Sequence, residues 1–348
     1  MSPYMTTALL ASMGLGTLIT FSSTHWLLAW MGLEINTLAI IPIMAKTHHP
    51  RAIEASIKYF ITQAAAAAML LFANTTNAWL SGQWDIQQMS QPLPTTMIIL
   101  ALALKIGLAP LHTWLPEVLQ GLNLTTGLII STWQKLAPFA LLLQIQQTNP
   151  YLLTILAIIS TIVGGWGGLN QTQLRKILAY SSIAHLGWMI LVIQFSPQLT
   201  LLALMVYIIL TFAMFIMLYI NKAVNINMLS IAWTKTPILT SLIPLILLSL
   251  GGLPPLTGFM PKWLILQELT KQNLIITATI MALAALLSLY FYLRLSYSAT
   301  LTISPNNLIV TMQWRHYPSQ MTLPLTTSIT LTTLLLPSTP LIMPLLIL

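Results

Sequence analysis

Residues Thr95–Leu119 read TTMIILALALKIGLAPLHTWLPEVL, an apolar stretch with one lysine, Lys105, and with Gly107, Pro110 and Pro116 in its second half. It is long enough to cross a bilayer, whose hydrocarbon core takes about 20 helical residues. Proline lacks an N–H and clashes with the preceding turn, so Pro110 and Pro116 break or kink a continuous helix partway across. The stretch reads as a broken transmembrane helix with Lys105 beside the break. The segment GLAPLHTWLPE (Gly107 to Glu117) recurs without a gap as GLPPLTGFMPK (Gly252 to Lys262). Gly252, Pro255 and Pro261 stand where Gly107, Pro110 and Pro116 stand, Pro254 adds a further proline, and Phe259 replaces Trp114. Two copies of one unusual feature point to an internal duplication.

Composition supports a membrane setting. Of 348 residues, 57% are hydrophobic and 5% charged, and the mean hydropathy is +0.84. A soluble domain carries roughly 25% charged residues, so an ordinary soluble enzyme is excluded. The net charge of +8 is spread along the chain without a polybasic arm, which leaves nucleic-acid binding without support. Cysteine is absent, excluding disulfides, thiolate metal sites and the usual Fe–S clusters. The first apolar segment has no basic region before it and reads as a span inserted without a cleaved signal.

Apolar runs separated by turn residues predict an all-α polytopic membrane protein with about eleven transmembrane helices. They cover 4–20, 25–45, 57–79, 95–121, 124–145, 150–169, 175–195, 197–220, 237–270, 273–296 and 323–346. The longest loops fall at 47–56, 80–94, 221–236 and 297–321. No linker divides 1–348, which reads as a single membrane domain. Loops after helices 2, 6, 8 and 10 hold Lys46 and Arg51, Arg175 and Lys176, Lys222 and Lys235, then Arg315; those after helices 1, 3, 5 and 7 hold no Lys or Arg. This segregation puts the N-terminus on the basic side and the C-terminus opposite. The loop after helix 4 departs from the pattern, offering only Glu117. The broken helices 4 and 9 lie five apart, an odd number, so the second copy starts from the opposite side. Residues 1–145 and 150–296 are thus expected to be inverted-topology five-helix repeats, with 323–346 an additional helix; discontinuous helices in such repeats are a transporter architecture.

Charges inside apolar spans cost several kcal/mol and are functional hypotheses by default. Glu34 and Lys135 lie mid-span, Lys105 is near the first break, Lys262 follows the second, and His185 is central in its helix. Desolvation favours a neutral amine while a nearby carboxylate favours the ammonium. The Glu34–Lys105 distance therefore decides whether Lys105 holds its proton, the physics of a switchable relay. Pro110 and Pro138 free backbone carbonyls that water or side chains must satisfy. His112 and Glu117 flank the first break as candidates for a gate or a point of proton access. Each of these residues also has a structural reading: a buried ion pair, a snorkelling lysine, or a packed histidine held by Ser181 or Ser182. Glu54 and Lys58 read as a local i,i+4 pair. Adjacent His48 and His49 lack a spaced third ligand for a metal. No nucleotide, flavin, haem or Fe–S motif is present, so redox chemistry, if involved, belongs to a partner.

Lys105–Glu117, Leu178–Gly187 (LAYSSIAHLG), Trp30–Pro42 (WMGLEINTLAIIP), Ser131–Phe139 (STWQKLAPF) and Gly251–Phe259 (GGLPPLTGF) together resemble the antiporter-like membrane subunits of respiratory complex I, in particular its mitochondrially encoded members. The resemblance spans nearly the whole chain and is weakest at 297–348. It implies a subunit carrying part of a proton pathway coupled to electron transfer from NADH to ubiquinone, with NAD, FMN, Fe–S and ubiquinone held by other subunits and no cofactor here. It matches the family's glutamate–lysine pair to Glu34 and Lys105, its central lysine to Lys135 and its terminal lysine to Lys262, with His185 connecting the halves. It implies the mitochondrial inner membrane, the N-terminus in the matrix and the C-terminus toward the intermembrane space. Implied partners are mitochondrially encoded and accessory complex I subunits, a neighbouring antiporter-like subunit, and lipids such as cardiolipin. An independent proton/cation antiporter and a purely structural subunit remain the rival readings.

Overall fold

The computed structural model describes residues 2–89, 91–145, 150–300 and 322–340. Every named element among them is helical. The chain divides into two compact units, Met1–Ile159 and Ser160–Leu348.

The first unit begins with α1 (Pro3–Ser22) and α2 (Trp26–Met44). These pack backbone to backbone: a Cβ added at Gly16 would lie 2.9 Å from the Gly32 carbonyl oxygen, and one at Gly32 would lie 2.8 Å from that of Gly16. Small residues permit such an approach where lipid offers no hydrophobic drive between helices. His49 caps α3 (Pro50–Ser81) by accepting from the Arg51 N–H at 3.2 Å, with Pro50 in the first turn, where its missing donor costs nothing. This capping role starts α3 seven residues before the expected 57. Next come α4 (Pro92–Ile106) and α5 (Trp114–Gly121), then α6 (Leu124–Ser131) and α7 (Trp133–Gln144). Between α6 and α7 the Thr132 hydroxyl donates to the Leu128 carbonyl at 2.7 Å, a back-bond that bends helices. The helix expected over 124–145 is one span, Leu124–Gln144, interrupted only by a turn at Thr132, and Lys135 lies just past that turn.

Helix α8 (Pro150–Gly168) contains the boundary between the units. The second unit continues with α9 (Leu174–Val192), α10 (Pro197–Asn221), α11 (Ile226–Lys235), α12 (Pro237–Gly251), α13 (Phe259–Lys271), α14 (Ile275–Thr300) and α15 (Thr322–Leu334). Helix α11 occupies what the sequence reading made a loop, 221–236. It is anchored by α12 and α14, and its ten residues are too few to register as a span. After α15 a 3-10 turn covers Leu336–Ser338, with Pro337 unable to continue the helix donor pattern. The expected helix to 346 and the basic loop residue Arg315 run into residues outside those described.

Among the described residues, seven segments are long and apolar enough to cross a membrane: α1, α2, α3, α6 with α7, α8, α10 and α14. The chain has an all-α polytopic membrane fold. Both α4 and α12 have 15 residues, short of a full crossing.

Candidate functional site

In the first unit, α4 ends at Ile106 because Gly107 takes a left-handed conformation, φ 87°, and its N–H and that of Leu108 both close on the Ala103 carbonyl. This is a glycine-terminated helix end. Pro116 lies within the first turn of α5, where no donor is required of it. Two side chains meet the carbonyls left at the end of α4. The Trp114 indole N–H donates to Leu104 O at 3.1 Å, and Gln63 of α3 donates to Lys105 O at 3.5 Å.

Lys105 lies in the last turn of α4, only 6% exposed, and its Nζ is buried without a hydrogen-bond partner. Among the described residues Glu34 on α2 makes no ion pair with it. The carboxylate is oriented by the Thr37 hydroxyl, which donates to Glu34 Oε2 at 3.2 Å. Lys135 on α7 is 4% exposed. Lys105 and Lys135 line one cavity together with Asn36, Thr37, Tyr59, Gln63 and Gln134. About 10 Å³ of it is open to water centres, close to the least that holds one water. Gln134 donates to Asn36 O at 3.2 Å, and both polar atoms of the Asn36 amide are buried without partners. The structure thus brings Lys105 and Lys135 onto one polar pocket of the first unit, whereas Glu34 is not among its lining residues and meets it only through Thr37. Gln63, Asn36, Gln134 and Tyr59 belong to it as well. Sequence reading missed them because neutral polar residues carry no charge signal in an apolar run.

His112 is half-buried, and Glu117 is exposed at the start of α5. Lys58 holds Glu54 and Glu117 at 2.8 Å each. The local pair is therefore a three-member cluster joining α3 to α5, which sequence spacing shows only for Glu54 and Lys58.

In the second unit the corresponding break is built alike. Gly252, φ 77°, ends α12, its N–H meeting Ser249 O and that of Leu253 meeting Leu248 O. Pro254 and Pro255 lie in the connection, and Pro261 lies in the first turn of α13. Here the terminal carbonyl finds a cation: Lys262 Nζ donates to Gly251 O at 2.7 Å, favourable at a helix C-terminus. Lys262 shares a cavity of about 20 Å³ with His185 and Tyr207. The His185 and Tyr207 rings stand 5.7 Å apart. Arg294 of α14, absent from the sequence-based candidates, donates to Leu169 O and Gln171 O just past α8. Among the described residues no group of three His, Cys, Asp or Glu is placed to hold a metal.

A family model described as NADH:quinone oxidoreductase/Mrp antiporter, TM, matches residues 23–288, and one described as NADH dehydrogenase subunit 2 C-terminus matches 289–343. NADH-ubiquinone oxidoreductase chain 2 of Tetraodon nigroviridis is 72% identical over 340 residues, 98% of each chain. That of Oncorhynchus mykiss is 66% identical over 341 residues, again 98% of each. The chain belongs to the NADH-ubiquinone oxidoreductase chain 2 family. A chain of respiratory complex I from Thermus thermophilus, solved with bound aureothin, superposes with a TM-score of 0.88 at 27% identity, covering 99% of this chain and 80% of that one. Members of the family are core membrane subunits of complex I, and this chain has that role in proton translocation linked to the complex. It is a multi-pass protein of the mitochondrial inner membrane, placed among antiporter-like subunits. The chain is thus a subunit of the proton-translocating NADH:ubiquinone reductase.

Proposed function

We propose that this subunit carries part of the proton pathway of complex I through Glu34, Lys105 and Lys135 in its first unit and His185 and Lys262 in its second. The observation that carries the reading is Lys105, a buried amine with no hydrogen-bond partner in the last turn of α4, with Lys135 on the same cavity and Thr37 of that cavity bonded to the Glu34 carboxylate. Leaving a buried polar group unpaired costs about 1–3 kcal/mol, more when it is charged. A fold retains that cost where the group must change partners. In this relay the Glu34 carboxylate is the group whose movement or neutralisation changes whether Lys105 holds its proton. His112 and Glu117 serve as gate or proton-access residues beside the first break.

The same reading takes α4 with α5, and α12 with α13, as discontinuous transmembrane helices of inverted repeats, 1–145 and 150–296, with 323–346 an addition to about eleven spans. The two glycine-terminated helix ends, followed by prolines in the next first turn, support it. The basic loops place the N-terminus in the matrix and the C-terminus toward the intermembrane space. NADH, FMN, Fe–S and ubiquinone are bound by other subunits, and anionic lipids such as cardiolipin contact the chain.

Replacing Lys105 with Met or Glu34 with Gln in the assembled complex tests the relay. Assembly is expected to persist, with proton pumping per NADH oxidised clearly depressed. Unchanged pumping in an intact complex sinks the relay, and loss of assembly favours a structural role.

A further inference from the structure

At the end of α10 the second unit holds a cavity of about 200 Å³ lined by Ile220, Asn221, Lys222, Ala232 and Thr236. Its walls are the last turn of α10, α11, and the residue that precedes α12. The space is many times that of a single water site. The Thr236 hydroxyl donates to Asn221 Oδ1 at 2.8 Å, which sets the amide orientation and leaves Asn221 Nδ2 buried without a hydrogen-bond partner. Lys222 is exposed at the lip, in no ion pair among the described residues. Its backbone is held at φ 50°, and its N–H caps Leu218 O and Tyr219 O. A fixed neutral donor and a cation on one cavity match an acceptor-rich anion.

Position in the bilayer narrows the anion. Helix α10 runs 25 residues, more than the roughly 20 that cross the hydrocarbon core, so its end lies at headgroup level. The adjoining α11 exposes Met228, Ile231 and Trp233. Apolar residues and an interfacial tryptophan on the open side of a short helix face lipid rather than water.

We propose that this cavity binds the phosphate group of an anionic lipid. Asn221 Nδ2 donates to a phosphate oxygen, the Lys222 ammonium pairs with its charge, and the acyl chains lie toward the exposed side of α11. This deepens the lipid contact proposed above by giving it a site; its chemistry is shared with free phosphate, and the test separates the two.

The assembled complex, delipidated in detergent, is exposed to photoactivatable phosphatidylglycerol, with the phosphatidylcholine analogue as control. Phosphatidylglycerol is expected to label the peptide spanning 220–236 in preference to phosphatidylcholine, and millimolar inorganic phosphate to leave that labelling in place. Lys222→Asn removes the charge with a residue that tolerates the left-handed backbone. It is expected to lower labelling about fivefold, while Lys222→Arg retains it. Asn221→Ala, which removes the buried donor, is expected to lower labelling in the same direction. Competition by inorganic phosphate overturns the lipid in favour of a free anion. Equal labelling by phosphatidylcholine, or full labelling in both Lys222→Asn and Asn221→Ala, overturns the site. A carbodiimide crosslink from Lys222 to a neighbouring subunit's carboxylate, with no lipid labelling, overturns it in favour of a protein partner. Proton pumping is measured on the same samples: labelling lost with pumping intact supports this site independently of the proton pathway, and labelling retained where the Lys105 variants show no pumping defect leaves this site standing while the pathway reading falls.

Discussion

Lys105 lies in the last turn of α4, whereas Lys262 lies in the first turn of α13 and reaches back to the C-terminal carbonyl of α12. Their surroundings differ. Lys262 is fixed on a backbone carbonyl, whereas the carbonyls of Leu104 and Lys105 accept from Trp114 and Gln63 and the Lys105 amine has no hydrogen-bond partner. This makes Gly252 a sensitive position. An added Cβ there meets Lys262 Cδ at 2.8 Å and Nζ at 2.9 Å, in addition to the strain of φ 77°. Gly82 has nearly the same φ, 72°, with nothing within 4 Å. Gly82→Ala is expected to cost about 1 kcal/mol of backbone strain alone. Gly252→Ala is expected to cost more and also to lower pumping, because the amine must leave Gly251 O. Thermal unfolding and pumping of the two complexes check this; equal losses in both would show that the Lys262 contact is immaterial.

At the scale of elements, the ends of α4 and α12 follow from glycine more directly than from proline. Gly107 and Gly252 end their helices in left-handed turns, while Pro116 and Pro261 sit in the next first turn, where they assist initiation. The prolines flag the breaks in the sequence; the glycines make them. A different device ends α8, where the Arg294 guanidinium spans the Leu169 and Gln171 carbonyls. Hydrogen bonds from a charged donor contribute about 1.5–3 kcal/mol. Arg294→Met is expected to lose a stabilisation of that order, read as a lower thermal midpoint, and Arg294→Lys to recover only part because an ammonium lacks the planar fork. A midpoint unchanged in Arg294→Met would remove the cap from the account.

At the scale of the whole molecule, the exposed surface is that of a protein dissolved in lipid. Trp79 is 87% exposed and Trp166 71%, with Leu, Ile and Met exposed along α1, α3, α8 and α14. Such apolar exposure is uncommon on soluble monomers. Brominated lipids are expected to quench a part of the tryptophan fluorescence of the reconstituted protein, and Trp79→Phe with Trp166→Phe to remove much of that part. Quenching unaffected by both changes would place these indoles away from acyl chains.

The sequence by itself determined the solvent, the helical class and the glycine-marked ends of α4 and α12, because hydropathy, charge scarcity and the Gly–Pro pattern are local properties. It also made the ionisable groups visible, since a lysine or glutamate stands out in an apolar run. Tertiary structure alone decided which of these groups meet. It placed Lys105 and Lys135 on one cavity, drew Glu117 to Lys58 across 59 residues, turned an expected loop into α11, and recruited the neutral Gln63, Asn36 and Gln134. The physical reason is that hydrogen bonding and burial depend on neighbours distant in sequence, and a neutral amide in a membrane helix gives no sign of its partner until the helices pack.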